Sequence, residues 1–145
     1  MSKSVPRPSH RNLPLLLLQA REAVFVRFRP LLNAVGLTEQ QWRVIRALLD
    51  HGPLEPRQIG DICCLSSPSL AGILARMDEM GLVTRERFEN DQRRVLVSVT
   101  ERGQSVAAEL VPQIEATYAE LEAHIGPEFA RQLHQTLDEL LSKLK

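Results

Sequence analysis

Apolar residues in this chain recur at two spacings. From Leu13 to Val35, from Leu70 to Met77, from Val106 to Ile125 and from Phe129 to Leu144 they return every three or four positions, which is the period of a helix face. Around the polar cluster Glu89-Asn90-Asp91-Gln92 the period changes: Leu82 and Val83 lead in, and Val95, Val97 and Val99 alternate on the far side, as in a two-stranded hairpin. Thr100 then stops the strand and supplies a hydroxyl to cap a following helix. The pattern predicts a mainly α (α+β) chain with a single hairpin embedded among helices.

Ahead of the hairpin, residues 55–81 read as two short helices joined by a tight polar turn. Pro56 suits a first helical turn, and Ile59, Ile62 and Cys63 form one apolar stripe. Ser66, as a hydroxyl cap, and Pro68 begin the second helix, Leu70, Ile73, Leu74 and Met77 give its inner face, and Gly81 ends it. Its outer face carries Ser67, Ser69, Gly72 and Arg76. These are small hydrogen-bonding groups plus one cation, which allow a helix to approach phosphates and base edges in a major groove; taken singly, each serine is read first as a cap or a solvated group.

The hairpin tip, Asp91-Gln92-Arg93-Arg94, places two guanidinium groups side by side on a narrow loop, suited to an A·T-rich minor groove. Asp91 repels phosphate, so its expected task is to hold one guanidinium in a fixed rotamer; an ordinary solvated ion pair remains the alternative. Helix, turn, helix, hairpin in that order is the outline of a DNA-binding unit with a wing.

The net formal charge is zero, yet it is unevenly divided. From Glu101 onward there are eight acids and four bases, leaving fourteen bases and ten acids before it, so +4 faces −4. An N-terminal part that meets phosphate and a C-terminal part that faces elsewhere fits this division. The run Leu13-Pro14-Leu15-Leu16-Leu17-Leu18 is too short for a bilayer and lacks a small-residue cleavage site, so neither anchor nor signal peptide is expected, and a cytoplasmic protein without a membrane partner is.

Three sequence features resemble the MarR family of winged helix-turn-helix regulators, and the resemblance spans nearly the whole chain. They are the wing pattern Asp91, Arg93, Val95 to Val99, Thr100 and Gly103; the helix opening Leu37-Thr38-Glu39-Gln40-Gln41-Trp42, with Thr38 and Gln41 as a capping box; and Leu18-Gln19-Ala20-Arg21-Glu22-Ala23 with Phe28-Arg29-Pro30, which is similar to the repressors of homoprotocatechuate and related aromatic-acid catabolism. The resemblance implies a homodimer interlocked through its first, fifth and sixth helices. Each recognition helix and wing would then address one half-site of a pseudo-palindromic double-stranded DNA operator, with half-sites about 34 Å apart. On that reading residues 1–36 are an arm and first dimerisation helix, 37–103 the winged lobe, and 104–145 the C-terminal dimerisation helices of one intertwined domain. The DNA-binding candidates are Ser66, Ser67, Pro68, Ser69, Gly72, Arg76, Asp91, Gln92, Arg93 and Arg94.

A small aromatic acid of the homoprotocatechuate, 4-hydroxyphenylacetate or hydroxynicotinate type, the effector class implied, needs a cation for its carboxylate and apolar walls for its ring. Arg21 lies in an otherwise apolar helix, where a guanidinium needs an anion or acceptor beside it; an interface ion pair with Glu22 or a C-terminal acid is the competing role. His10 and Asn12 precede that helix, and Trp42 and Arg43 lie on the next, which lines the effector pocket in the family; Trp42 is read first as a core residue, because indoles mostly serve packing, and second as a ligand wall.

Other classes find less in the residues. Cys63 and Cys64 are adjacent, a poor arrangement for a disulfide, and lack neighbouring bases in sequence. The family's peroxide sensors carry their cysteine near the start of the first helix, where this chain has none, so a cysteine-based redox sensor is an alternative only. His10, His51, His124 and His134 are scattered, so no metal site and no cofactor are expected. Phosphate loops, nucleophile elbows and zinc-protease motifs are missing, and Asp78 and Glu79 are adjacent and point apart, so no enzyme is expected. A helical protein-interaction adaptor without DNA binding would share the amphipathic helices but has no need of Arg93 and Arg94 on a hairpin.

Overall fold

The computed structural model describes residues 4–145. Seven helices and one hairpin follow each other in the order α1 (Leu13–Phe25), α2 (Arg29–Ala34), α3 (Glu39–His51), α4 (Pro56–Cys63), α5 (Ser67–Glu79), β1 (Val83–Arg87), β2 (Val95–Val99), α6 (Glu101–Ile125) and α7 (Pro127–Lys143). The helix start signals act as their chemistry requires. Thr38 Oγ1 accepts from Gln41 N at 3.1 Å while Gln41 Oε1 accepts from Thr38 N at 3.0 Å, closing the capping box expected there.

The first apolar run, expected as one helix to Val35, is two. Pro30 has no N–H and its ring opposes a continuing helix, so the chain tightens after Phe25: Arg27 N donates to Val24 O at 3.3 Å and Phe28 N to Phe25 O at 2.9 Å before α2 starts. Pro112 does less. It sits inside α6, which continues through it, on the exposed side of the helix, where water can satisfy the freed carbonyl. Ile62 also departs from its expected place; it is 46% exposed, and only Ile59 and Cys63 of that stripe are buried.

β1 and β2 pair antiparallel from Val83↔Val99 to Arg87↔Val95. Leu54 adds a rudimentary third strand, donating to Val97 O at 3.1 Å and accepting from Val97 N at 2.8 Å. That contact was not readable beforehand, because one residue between Pro53 and Glu55 has no period. It fixes the hairpin against the start of α4.

One core joins these elements. Val44, Ile45 and Leu48 of α3, Ile59 of α4, Leu70, Leu74 and Met77 of α5, Val83 and Val97 of the hairpin and Leu110 and Ile114 of α6 are buried together. Each large aliphatic side chain so buried contributes about 1.5–3 kcal/mol. Thr100 locks the hairpin to α6: its Oγ1 accepts from Gly103 N at 3.0 Å and donates to Gly81 O at 2.6 Å. Gly103 itself sits where a Cβ would lie 2.4 Å from Leu82 O and 2.9 Å from Val99 Cγ1, so strand and helix approach as only glycine permits.

The terminal helices are different. α1 buries no residue and α7 only Ala130. Leu13, Leu15 to Leu18, Phe129, Leu133, Leu137, Leu141 and Leu144 all stand exposed on the single chain, a larger apolar surface than a monomer ordinarily presents to water.

Candidate nucleic-acid interface and anion pocket

α4 and α5 meet at 110° across the three-residue turn Cys64-Leu65-Ser66, the geometry of a helix-turn-helix. Ser66 caps α5: its Oγ accepts from Ser69 N at 3.4 Å and donates to Ser69 Oγ at 3.0 Å. Ser67, Pro68, Ser69, Gly72 and Arg76 are all exposed on α5, outside its buried stripe of Leu70, Leu74 and Met77. A Cβ at Gly72 would meet nothing within 4 Å, so packing inside the chain does not call for glycine there; the missing side chain leaves the outer face low. Arg76 bonds Glu79 at 3.4 Å and remains at the surface.

The tip of the hairpin divides its two arginines. Asp91 Oδ1 accepts from Arg93 N at 3.0 Å and from Arg93 Nε at 3.3 Å, while the Arg93 side chain is 92% exposed. Asp91 thus shapes the turn and forms an ion pair with Arg93 at the surface. Arg94, expected beside Arg93 on the outside, folds back instead. Its Nε and Nη2 bond the two Glu55 carboxylate oxygens, each at 2.9 Å, and its guanidinium lies 4.3 Å over the Phe88 ring. Gln92 is also engaged, its Nε2 donating to Phe88 O at 3.2 Å and its carbonyl accepting from Arg87. The bond from Arg94 holds the Glu55 carboxyl below the usual carboxylate range and raises Arg94 in turn.

Between α4, α5 and the hairpin runs a groove of about 750 Å³ whose walls include Arg57, Ser67, Arg85 and Arg87, with Asp61 and Asp78. Asp78 Oδ2 accepts from Arg85 Nε at 2.9 Å. Arg57, Arg85 and Arg87 were missed in the sequence; the alternation of β1, which turns Arg85 and Arg87 to one face, was the available signal.

On the other side of α3 is a cavity of about 230 Å³, lined by Arg21, Val24, Phe25, Phe28, Glu39, Trp42, Arg43, Arg46, Ile114 and Tyr118. Arg21, Trp42 and Arg43 therefore come together. His10 and Asn12 do not join them within the chain: Asn12 Oδ1 caps α1 by accepting from Leu15 N at 3.1 Å, and His10 is exposed beside Ser9. The partner of Arg21 is Glu39 rather than Glu22, whose Oε1 lies 2.8 Å from Arg29 Nη1. That bond from Arg29 lowers the pKa of Glu22. Glu39 also takes Arg43 Nη2 at 2.8 Å, a pairing its four-residue spacing could have disclosed. The Phe28 and Tyr118 rings meet in the cavity lining with centroids 4.7 Å apart and planes tilted by 54°, joining residues too far apart in sequence for any local pattern to pair. Trp42 is both buried in the core and part of the wall.

Cys63 is buried and Cys64 exposed, and neither is in a disulfide. Burial pushes the Cys63 thiol up, away from the reactive thiolate. Among the described residues no group of three or more His, Cys, Asp or Glu is placed to hold a metal, and no single helix is long and apolar enough to cross a membrane.

Known proteins share this arrangement. The MarR family model matches residues 35–94. The homoprotocatechuate degradative operon repressor of Escherichia coli is 40% identical over 133 residues, 92% of this chain and 90% of the relative. The crystal structure of the transcriptional regulator PA4135 superposes with a TM-score of 0.88 at 44% identity, covering 92% of this chain and 98% of that one. NadR in complex with 4-hydroxyphenylacetate gives 0.79 at 37% identity, covering 94% and 97%. With a helix-turn-helix, a wing and full-length relatives of this kind, the chain belongs to the MarR family of transcriptional regulators.

Proposed function

We propose that the protein is a homodimeric repressor that occludes its promoter and leaves the DNA when a small aromatic acid binds. The observation that carries this reading is the 230 Å³ cavity, whose lining brings Arg21, Arg43 and Arg46, the first two sharing Glu39, together with Phe25, Phe28, Trp42 and Tyr118. Cations matched to a carboxylate and rings matched to a ring are what an acid such as 4-hydroxyphenylacetate or homoprotocatechuate demands. Hydroxynicotinate has the same charge and size. The ligand of NadR and the operon controlled by the Escherichia coli relative point to the same chemical class.

DNA is met by two elements. In this reading Ser66, Ser67, Pro68, Ser69, Gly72 and Arg76 bring α5 into the major groove, and Arg93, steadied by Asp91, enters the minor groove. Gln92 and Arg94 shape the wing behind it, and Arg57, Arg85 and Arg87 lie along the neighbouring groove as further phosphate contacts. The uncovered leucines of α1 and α7 are the dimer surface, residues 1–36 and 104–145 embracing a partner while residues 37–103 carry the DNA-reading lobe. Release is a shift of population: the acid weakens operator binding only as far as it prefers the conformer with misplaced recognition helices.

A thermal-shift series tests the effector. An acid present at about 100 times its Kd stabilises the fold that binds it by about 2.7 kcal/mol, so 4-hydroxyphenylacetate, homoprotocatechuate or 6-hydroxynicotinate raises Tm, and benzyl alcohol, lacking the carboxylate, does not. Equal shifts with and without the carboxylate contradict the role of the arginines.

A further inference from the structure

We infer that Arg43 is the residue through which occupancy of the pocket reaches the recognition helix. This rests on the aromatic-acid reading above and adds the route by which the acid acts. The Arg43 guanidinium is forked between two unrelated elements: Nη2 donates to Glu39 Oε1 in the pocket wall at 2.8 Å, and Nη1 donates to the backbone carbonyl of Cys63 at 2.8 Å. Cys63 ends α4, and only Cys64, Leu65 and Ser66 separate it from the first residue of α5. The tie is returned, since Cys63 Sγ donates to the Arg43 carbonyl at 3.5 Å. α3 and the last residue of α4, from which the turn before the recognition helix departs, are therefore joined at both side chains and both carbonyls.

The turn is poised to respond. Cys64 has φ 56°, the left-handed region that residues with a Cβ adopt only where the surroundings hold them. Leu65 N donates to Gly60 O at 3.0 Å from one side, and Arg43 grips the Cys63 carbonyl from the other. Glu39 meanwhile pairs with Arg21 and Arg43 at once, leaving one net positive charge there, and its carboxylate competes for the same guanidinium groups that an effector carboxylate would take. A carboxylate bound by an arginine fork takes two N–H groups at once. Each terminal nitrogen of a guanidinium carries two N–H groups, so the acid need not consume the Nη1 donor; by displacing Glu39 from Nη2 it draws the guanidinium toward the pocket and away from the Cys63 carbonyl, and the end of α4 loses one of its ties to α3. Effector on Arg43 and the Arg43–Cys63 tie thus oppose each other, which is the differential contact that linkage between two sites requires.

The test uses full-length dimer, 4-hydroxyphenylacetate and a duplex from the gene's own upstream region. Trp42, the single tryptophan, reports occupancy by its fluorescence. Arg43→Lys keeps the charge and loses the fork. With each protein saturated according to its own Trp42 titration, the wild type loses operator affinity by a factor within the usual range for coupled sites, about 5–150-fold, and Arg43→Lys by less than about twofold. Hydrogen exchange on the wild type supplies a readout that needs no variant: the acid raises exchange at the amides of Cys64 to Ser66 more than elsewhere in the lobe. Full release from Arg43→Lys, or a wild type released from DNA with those amides unchanged, overturns the role of Arg43 while leaving the effector reading intact. A wild type that binds none of the acids overturns both.

Discussion

Arg94 and Glu55 are paired through both carboxylate oxygens at 2.9 Å, so the wing is tied to the residue that caps α4. One acid thereby serves two structures. Its backbone N–H is satisfied by Gln58 Oε1 at 2.9 Å as the helix begins, and its side chain holds the hairpin. A wing fixed before it meets DNA gives up less freedom on binding.

The pairing sets a pH dependence. Glu55 is held below the ordinary carboxylate range by its bond from Arg94, so its contribution to stability is present above the unfolded pKa and is lost as pH falls through the lower, folded one. The stability difference between wild type and Glu55→Gln is therefore expected at neutral pH and closes in acid below the usual carboxylate titration. Denaturant unfolding across that range checks it; a difference that persists or widens in acid assigns the latch to other groups.

Arg93→Ala removes a wing contact and leaves the fold, because among the described residues that side chain is bound to Asp91 beside it and is otherwise exposed. Operator affinity falls across all sequences, and the slope of log K against log salt becomes shallower by about 1 per wing. Binding measured by fluorescence anisotropy at several salt concentrations gives both numbers. An unchanged slope takes Arg93 away from the phosphate backbone.

Arg21→Ala separates input from output. Its guanidinium lines the pocket and lies far along the chain from the helix-turn-helix, so the variant retains DNA binding and loses its response to the acid. Normal release of the variant by 4-hydroxyphenylacetate removes Arg21 from the effector site.

Gly103→Ala is expected to destabilise the fold at the hinge between the wing and α6. The added methyl meets a backbone carbonyl, Leu82 O, which cannot swing aside as a flexible side chain would. Overpacking of this kind costs about 1–3 kcal/mol, visible as a lower Tm with no change in the ligand pocket. A Tm equal to wild type shows that strand and helix can part there.

How much of this was legible in the residues depends on how far apart the partners lie. The helix caps at Thr38, Ser66 and Thr100 act over three positions and could be read directly, as could the exposed face of α5. The break after Phe25 was signalled by Pro30, whose effect a long apolar run obscured. Arg94 looked like a second free cation because its partner, Glu55, lies on another element, and no local period links them. The pocket shows the same division. Arg21, Trp42 and Arg43 could be picked out as a cation or an aromatic in unusual company, whereas Phe28 with Tyr118, and Glu39 as the shared partner of Arg21 and Arg43, exist only once the helices pack. His10 and Asn12 were chosen for their nearness in sequence to that pocket, and within one chain Asn12 has a nearer task in capping α1.

The decisive measurement titrates the labelled upstream duplex with the purified protein at low ionic strength, first alone and then with 4-hydroxyphenylacetate. Binding is expected to saturate, to weaken steeply with added salt and to be reversed by the acid. A protein that leaves the duplex free under those conditions, with no acid present, contradicts the repressor reading.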